Sequence, residues 1–178
     1  MMLGMRSLRP SAQFLLLATA LSGCAGGRPQ LNNSPALGRA VDVAAPDLGG
    51  EEQRVVDRTG QVRIVDFWAT WCEPCREQFP ILELLVRAHQ AEGLTVYAVS
   101  VDEDLAQLKA FVAANPFPFL NLWDQGGSRH AERLGIERLP TTLVVDRAGR
   151  VRFVHHGYQQ KNAAMLDAEV RQLLTEPR

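Results

Sequence analysis

Two cysteines three positions apart, Cys72 and Cys75, lie between the apolar run Val62 to Trp68 and a helical pattern that starts at once. A thiol at the first turn of a helix meets unpaired backbone N–H groups and the positive end of the helix dipole, and both favour thiolate over thiol. The thiolate is the nucleophile of disulfide exchange, so Cys72 is the candidate attacking group. Cys75 faces the same side of the turn and is the candidate thiol that resolves a mixed disulfide. Pro74 suits the first helical turn, where its missing N–H is no loss. Glu73 puts a carboxylate beside the pair, which opposes thiolate formation by charge. Trp71 is expected to cover the dithiol and Trp68 to sit in the core. A structural zinc site would need a second cysteine pair or a suitably spaced Cys/His set, and none is present. Asp66 interrupts the apolar strand; it is either a strand-end acid facing water or a buried carboxyl of raised pKa that can take a proton from Cys75.

The chain has 178 residues, 46% hydrophobic and 22% charged, which suits one globular domain with some extra length. Its formal net charge is -1, with Lys and Arg scattered, so no basic stripe marks a nucleic-acid partner. Three cysteines are too few for a disulfide-stapled scaffold, and the one outside the pair, Cys24, needs its own explanation. Arg6 and Arg9, the short apolar stretch Phe14 to Leu21 and then Leu21-Ser22-Gly23-Cys24 form a targeting segment. The apolar stretch falls well short of the roughly 20 residues a membrane-spanning helix needs. Leu-Ser-Gly-Cys resembles the lipobox of bacterial lipoproteins. The resemblance implies a signal peptide over 1–23 and a lipidated Cys24 as the mature N-terminus. Acyl chains on that residue would anchor the protein to a membrane, where a single chain would be marginal. Ala25 after the cysteine resembles lipoproteins sent to the outer membrane of Gram-negative cells, which would leave the domain facing the periplasm.

Residues 24–40 carry Gly, Pro, Asn and Ser without an apolar period and read as a flexible tether reaching roughly 20 Å. The domain is expected over 41–178. Gln53 to Val56, with a turn at Asp57 to Gly60, suggests an edge hairpin. Val62 to Trp68 reads as a strand covered on both faces. The helix from Cys72 to about Gln90 carries Phe79, Leu82, Leu85, Val86 and His89 on one stripe, with a kink expected at Pro80. A second buried strand spans Leu94 to Val101. Asp102 or Asp104 caps the next helix, with Leu105, Leu108, Phe111 and Val112 on its stripe. A short strand over Phe119 to Leu122 and a short helix ending at Gly135 precede Leu143 to Asp146, a hairpin turn, Arg150 to His155 and a closing helix from Ala163 to Leu174. Helices alternating with buried strands, then a terminal hairpin and helix, give an α/β sandwich with a mixed sheet. His89, His130, His155 and His156 are expected on the surface. A Cu(I) site using the two thiolates and His155 or His156 is the reading of a different class.

Phe67-Trp68-Ala69-Thr70-Trp71-Cys72-Glu73-Pro74-Cys75, Leu139-Pro140-Thr141-Thr142 and Val145-Asp146-Arg147-Ala148-Gly149 together resemble the thioredoxin superfamily, and within it the membrane-anchored TlpA/ResA-type branch. The resemblance covers almost all of the chain after the tether. It implies a thioredoxin-like three-layer α/β/α sandwich with a central mixed β-sheet and an inserted helix-strand. It also implies that Pro140 is cis, in a loop with Leu139 and Thr141 that presents backbone to an incoming peptide, against the ordinary preference for trans. Asp66 matches the buried acid of thioredoxin. Glu103 matches a position where this branch carries an acid near the dithiol, although an acid there can equally be a solvated residue at a helix start. The implied activity is thiol-disulfide exchange with no cofactor beyond the dithiol. The implied partners are protein disulfides, apocytochrome c or other envelope proteins among them, and a membrane electron donor. A disulfide-forming oxidant of the same fold is the alternative direction.

Overall fold

In the computed structural model, residues 34–55, 60–160 and 162–177 are described. The leader, Cys24 and most of the expected tether lie outside them. The β-branched runs on either side of the first long helix form the two central strands, β3 (Val62–Trp68) and β4 (Leu94–Ser100), which pair in parallel from Val62↔Leu94 to Trp68↔Ser100. Helix α1 (Glu73–His89) makes the crossover between them. A second crossover, α2 (Leu105–Ala114), places β5 (Leu120–Trp123) parallel to β4 at one edge. On the other side of β3 run β6 (Thr141–Val145) and β7 (Val151–His156), both antiparallel to their neighbours, so the sheet is mixed in the order β5-β4-β3-β6-β7. Short α3 (Ala131–Leu134) precedes β6, and α4 (Asn162–Thr175) closes the chain.

Side chains alternate between the sheet faces with period two, and each face has its own cover. Ile64, Trp68, Val96, Ala98 and Val144 pack against Phe79, Leu82 and Val86 of α1 and Leu166, Val170 and Leu173 of α4. Val65, Phe67, Tyr97, Val99, Leu143 and Val145 pack on the opposite face against Leu134 of α3 and Val41, Val43 and Ala45 of the entering chain. This is the expected three-layer arrangement. Each large apolar side chain taken from water here stabilises the fold by about 1.5–3 kcal/mol before entropy is counted. Trp68 and Phe79 meet edge-on with centroids 4.9 Å apart, and Phe79 meets Phe117 at 4.4 Å. That contact ties the Asn115-to-Phe119 linker onto the helix carrying the cysteines. Helix α1 passes through Pro80 without being divided.

Several expectations change. Of the hairpin expected over Gln53 to Gly60, Val56 to Thr59 lie outside the described residues, while Gln53 and Arg54 belong to an earlier hairpin formed by β1 (Ala44–Pro46) and β2 (Glu52–Arg54). Its turn is held by Asp47, whose carboxylate accepts from the N–H groups of Gly49 and Glu51 at 2.8 and 3.0 Å. Packing begins ahead of Val41: Ala36 is fully buried, Gly38 N–H donates to Val151 O, and Val151 N–H donates to Arg39 O. His89 and His130 are buried rather than on the surface. His89 is held at both ring nitrogens, by Glu92 at 3.0 Å and by Asp167 of α4 at 2.8 Å, and the Asp167 hydrogen bond raises its pKa. His130 Nε2 donates to Ala44 O at 2.7 Å, tying α3 to the first hairpin. Arg147, in the β6–β7 turn, reaches across to donate to the carbonyls of Leu173, Leu174 and Glu176, satisfying the C-terminal end of α4.

Candidate active site

Strand β3 delivers the chain at Trp68 to a tight turn, Cys72 N–H donating to Ala69 O at 3.1 Å, and α1 begins immediately afterwards. Cys72 is the N-cap of that helix: its Sγ accepts from the Cys75 N–H at 3.3 Å, and Cys72 and Cys75 are joined as a disulfide. An N–H donated to sulfur at a helix N-terminus stabilises negative charge there once the bond is reduced. The two sulfurs are unequally placed. Cys72 lines an open groove of about 800 Å³, whereas Cys75 is fully buried behind it. The groove also takes in Trp71, Glu73, Pro74, Glu103 and Leu139.

Trp71 is 67% exposed, so it stands beside the disulfide as a groove wall and does not seal it, while Trp68 is fully buried. Leu139 precedes a cis peptide bond to Pro140, the isomer the resemblance implies. Pro140 and Thr141 lie behind Leu139 and are not part of the groove lining. The loop is held from both sides: Thr141 Oγ1 donates to Arg138 O at 2.8 Å, and Gly157 N–H donates to Pro140 O at 2.7 Å. Glu103 enters the groove past Gly126, where a Cβ would lie 2.5 Å from Glu103 Oε1 and where φ is +59°. The left-handed backbone favours a glycine at 126, and a side chain there would push the flexible Glu103 carboxylate to another position in the groove.

Asp66 is fully buried on the α1 side of β3. Its Oδ1 accepts from Gln78 Nε2 at 2.8 Å and from Thr142 Oγ1 at 2.7 Å, while Oδ2 has no hydrogen-bond partner among the described residues. Loss of solvation outweighs those two hydrogen bonds and raises its pKa from 3.8 to about 7. A carboxyl poised there can exchange a proton near neutrality. Gln78 lies three residues beyond Cys75 on the same helical face, so one turn of α1 spans the buried thiol and the buried acid.

Three supporting residues escape a sequence reading. Gln78 and Thr142, themselves 2.8 Å apart, orient Asp66. Asp102, placed from sequence as a possible helix cap, is instead buried under the turn before Cys72, and Asp104 caps α2. The Asp102 carboxylate accepts from Thr70 N–H at 3.0 Å, Thr70 Oγ1 at 2.7 Å and Ser100 Oγ at 2.7 Å. Its backbone carbonyl accepts from Trp123 Nε1 at 2.7 Å. Replacing Asp102 by Ala strands three buried donors, and we expect a loss of about 3 kcal/mol in urea unfolding together with slower exchange at Cys72. Equal stability of D102A and the parent would show that this network does not hold the turn. The signal for Thr142 was its register opposite Asp66 across β3 and β6, visible only once the strands are paired.

His155 Nε2 is engaged by Glu169 at 2.7 Å, and His156 Nδ1 lies 3.0 Å from Thr141 Oγ1. Among the described residues no group of three or more His, Cys, Asp or Glu side chains is placed to hold a metal ion.

Residues 37–154 match the model of the AhpC/TSA family. The chain belongs to that family. Within it, the chain is 30% identical over 122 residues to the thiol-disulfide oxidoreductase ResA of Geobacillus thermodenitrificans, covering 68% of this chain and 70% of the relative. It is 32% identical over 126 residues to the thioredoxin-like protein YneN of Bacillus subtilis, covering 69% and 72%. Among solved structures, a thiol:disulfide interchange protein DsbE from Chlorobium tepidum superposes with a TM-score of 0.73 at 30% identity, covering 78% of this chain and 97% of that one. StoA from Bacillus subtilis shares the fold, with a TM-score of 0.60 at 22% identity. This AhpC/TSA-family chain is a thiol-disulfide oxidoreductase of thioredoxin-like fold, using a redox-active cysteine pair.

Proposed function

We propose that the protein is a lipid-anchored, extracytoplasmic reductant of protein disulfides. The observation that carries the exchange chemistry is the unequal placement of the pair, Cys72 in the groove at the N-cap of α1 and Cys75 buried behind it. In the reduced protein the Cys72 thiolate attacks one sulfur of a substrate disulfide, forming a mixed disulfide and expelling the other substrate sulfur as thiolate. Asp66 accepts the Cys75 proton, and the Cys75 thiolate attacks Cys72 Sγ. The second substrate thiolate leaves, and two electrons have passed to the substrate. Trp71, Glu73, Pro74 and Leu139 form the surface on which the substrate lies, Pro140 and Thr141 hold Leu139 in place from behind, and Glu103 is a further acid at its edge.

The reductive direction rests on the resemblance to the TlpA/ResA-type branch and on the compartment. Where disulfides form generally, a dedicated reductant has a distinct task, such as keeping apocytochrome c or other envelope thiols reduced. Cys24, outside the described residues, is the proposed lipid attachment, and the outer membrane is the proposed address in a Gram-negative cell. Among the described residues no helix is long and apolar enough to cross a membrane. Each turnover leaves the Cys72–Cys75 disulfide, which a membrane electron donor must reduce again. Equilibration of the pair with glutathione buffers tests the direction. A potential below about -220 mV fits a reductant, and one near about -120 mV would make the protein an oxidant.

A further inference from the structure

The groove beside Cys72 is lined by four carboxylates, Glu73, Glu103, Glu132 and Glu137, against one guanidinium, Arg138. These acids are exposed, and no ion pair engages any of them among the described residues. They come from four separate places: the first turn of α1, the loop after β4, helix α3 and the segment before Pro140. They therefore meet at the groove from separate elements and are not one solvated helix face. The whole chain carries a net charge of only -1, so negative charge is concentrated at this opening. Between the acids the surface is apolar, with Val101, Ile136, Leu139 and the exposed face of Trp71.

We propose that this groove selects polypeptide disulfides whose cysteine is flanked by lysine or arginine. This deepens, and rests on, the exchange reading of the same site. A cleft lined by one sign of charge with apolar walls raises the local concentration of oppositely charged substrate and repels substrates of like charge. The Trp71 ring adds a face on which a guanidinium or ammonium can rest. The apolar strip accepts the neighbouring side chains of an extended segment, and the open groove has room for a few residues. Since the carboxylates face solvent, their effect falls mainly on the rate of productive encounter, and salt screens it.

Three peptide disulfides of one length, with Lys/Arg, Gln or Glu flanking the cysteine, test this against the reduced full chain. The rate constants are expected in the order basic, neutral, acidic, with about 10-fold or more between the extremes at low salt. The spread should contract severalfold in about 0.5 M salt. In an E132Q/E137Q double variant the basic-to-neutral ratio should fall towards one. Equal rates on all three peptides, a spread indifferent to salt, or a ratio that survives the double substitution would each overturn the proposed selectivity while leaving the exchange reading intact. Failure to reduce any of the three, the neutral peptide included, would overturn the exchange reading and the selectivity with it.

Discussion

Cys72→Ser is expected to bring disulfide reduction down to the background rate of the assay, while Cys75→Ser still attacks substrate and then stalls. Both effects follow from position. Cys72 is the sulfur that faces the groove and receives the helix N–H, so no other thiol of the described residues can replace it as nucleophile. Cys75 has no exposed surface, so an external disulfide cannot reach it, yet it is already at bonding distance from Cys72. Insulin reduction by the reduced chain, with Cys24 replaced by Ser in every protein, distinguishes the two. Substantial turnover by the Cys72→Ser protein would mean that the chemistry lies elsewhere.

Asp66→Asn has two expected consequences of opposite sign, one on rate and one on stability. With no Asp66 carboxylate to act as the proposed acceptor of the Cys75 proton, resolution of the mixed disulfide should slow by about 10²-fold at pH 7, the initial attack by Cys72 much less. In the parent the resolution rate should climb with pH up to about 7, as Asp66 ionises, and in the variant that inflection should vanish. Stability moves the other way. Folding raises the Asp66 pKa from 3.8 to about 7, so between these values the folded protein holds a proton that the unfolded chain has lost. The contribution of Asp66 to stability is therefore fully present below about pH 4 and is lost as pH rises through 7, with a cost above that of up to about 4 kcal/mol. Asparagine keeps the acceptor for Gln78 and Thr142 and carries no charge. The stability advantage of the variant over the parent should accordingly grow between pH 4.5 and pH 8 in urea titrations. A constant difference would show that Asp66 is not buried as a titrating acid.

The parts of this protein that were legible in the sequence are those fixed by local chemistry. The apolar strand Val62 to Trp68, the cysteine pair at a helix start and the stripe Phe79, Leu82, Val86 each follow from periodicity or capping within a few residues, and all occupy the expected elements. What escaped depends on partners far away in the chain. Asp102 and Asp104 are equally good caps on paper, and only the return of β4 beside the turn at Thr70 separates them. Gln78 reads as an ordinary helix-surface amide until β3 puts Asp66 beneath it. His89 and His130 are buried because Asp167 and the carbonyl of Ala44 satisfy them across 78 and 86 residues of sequence. The β1–β2 hairpin escaped because its turn is organised by the Asp47 side chain, within a stretch where polar and apolar residues do not alternate. The four acids of the groove come from segments scattered between residues 73 and 137, so their common opening is a property of the fold.

The most direct measurement is the site of the trapped intermediate. The Cys75→Ser chain, with Cys24 also replaced by Ser, is mixed in its reduced form with a peptide disulfide, quenched in acid and mapped by mass spectrometry. A single peptide adduct on Cys72 is expected, persisting until external thiol is added. The absence of any adduct under conditions where the Cys75-containing protein reduces the same peptide would contradict attack by Cys72.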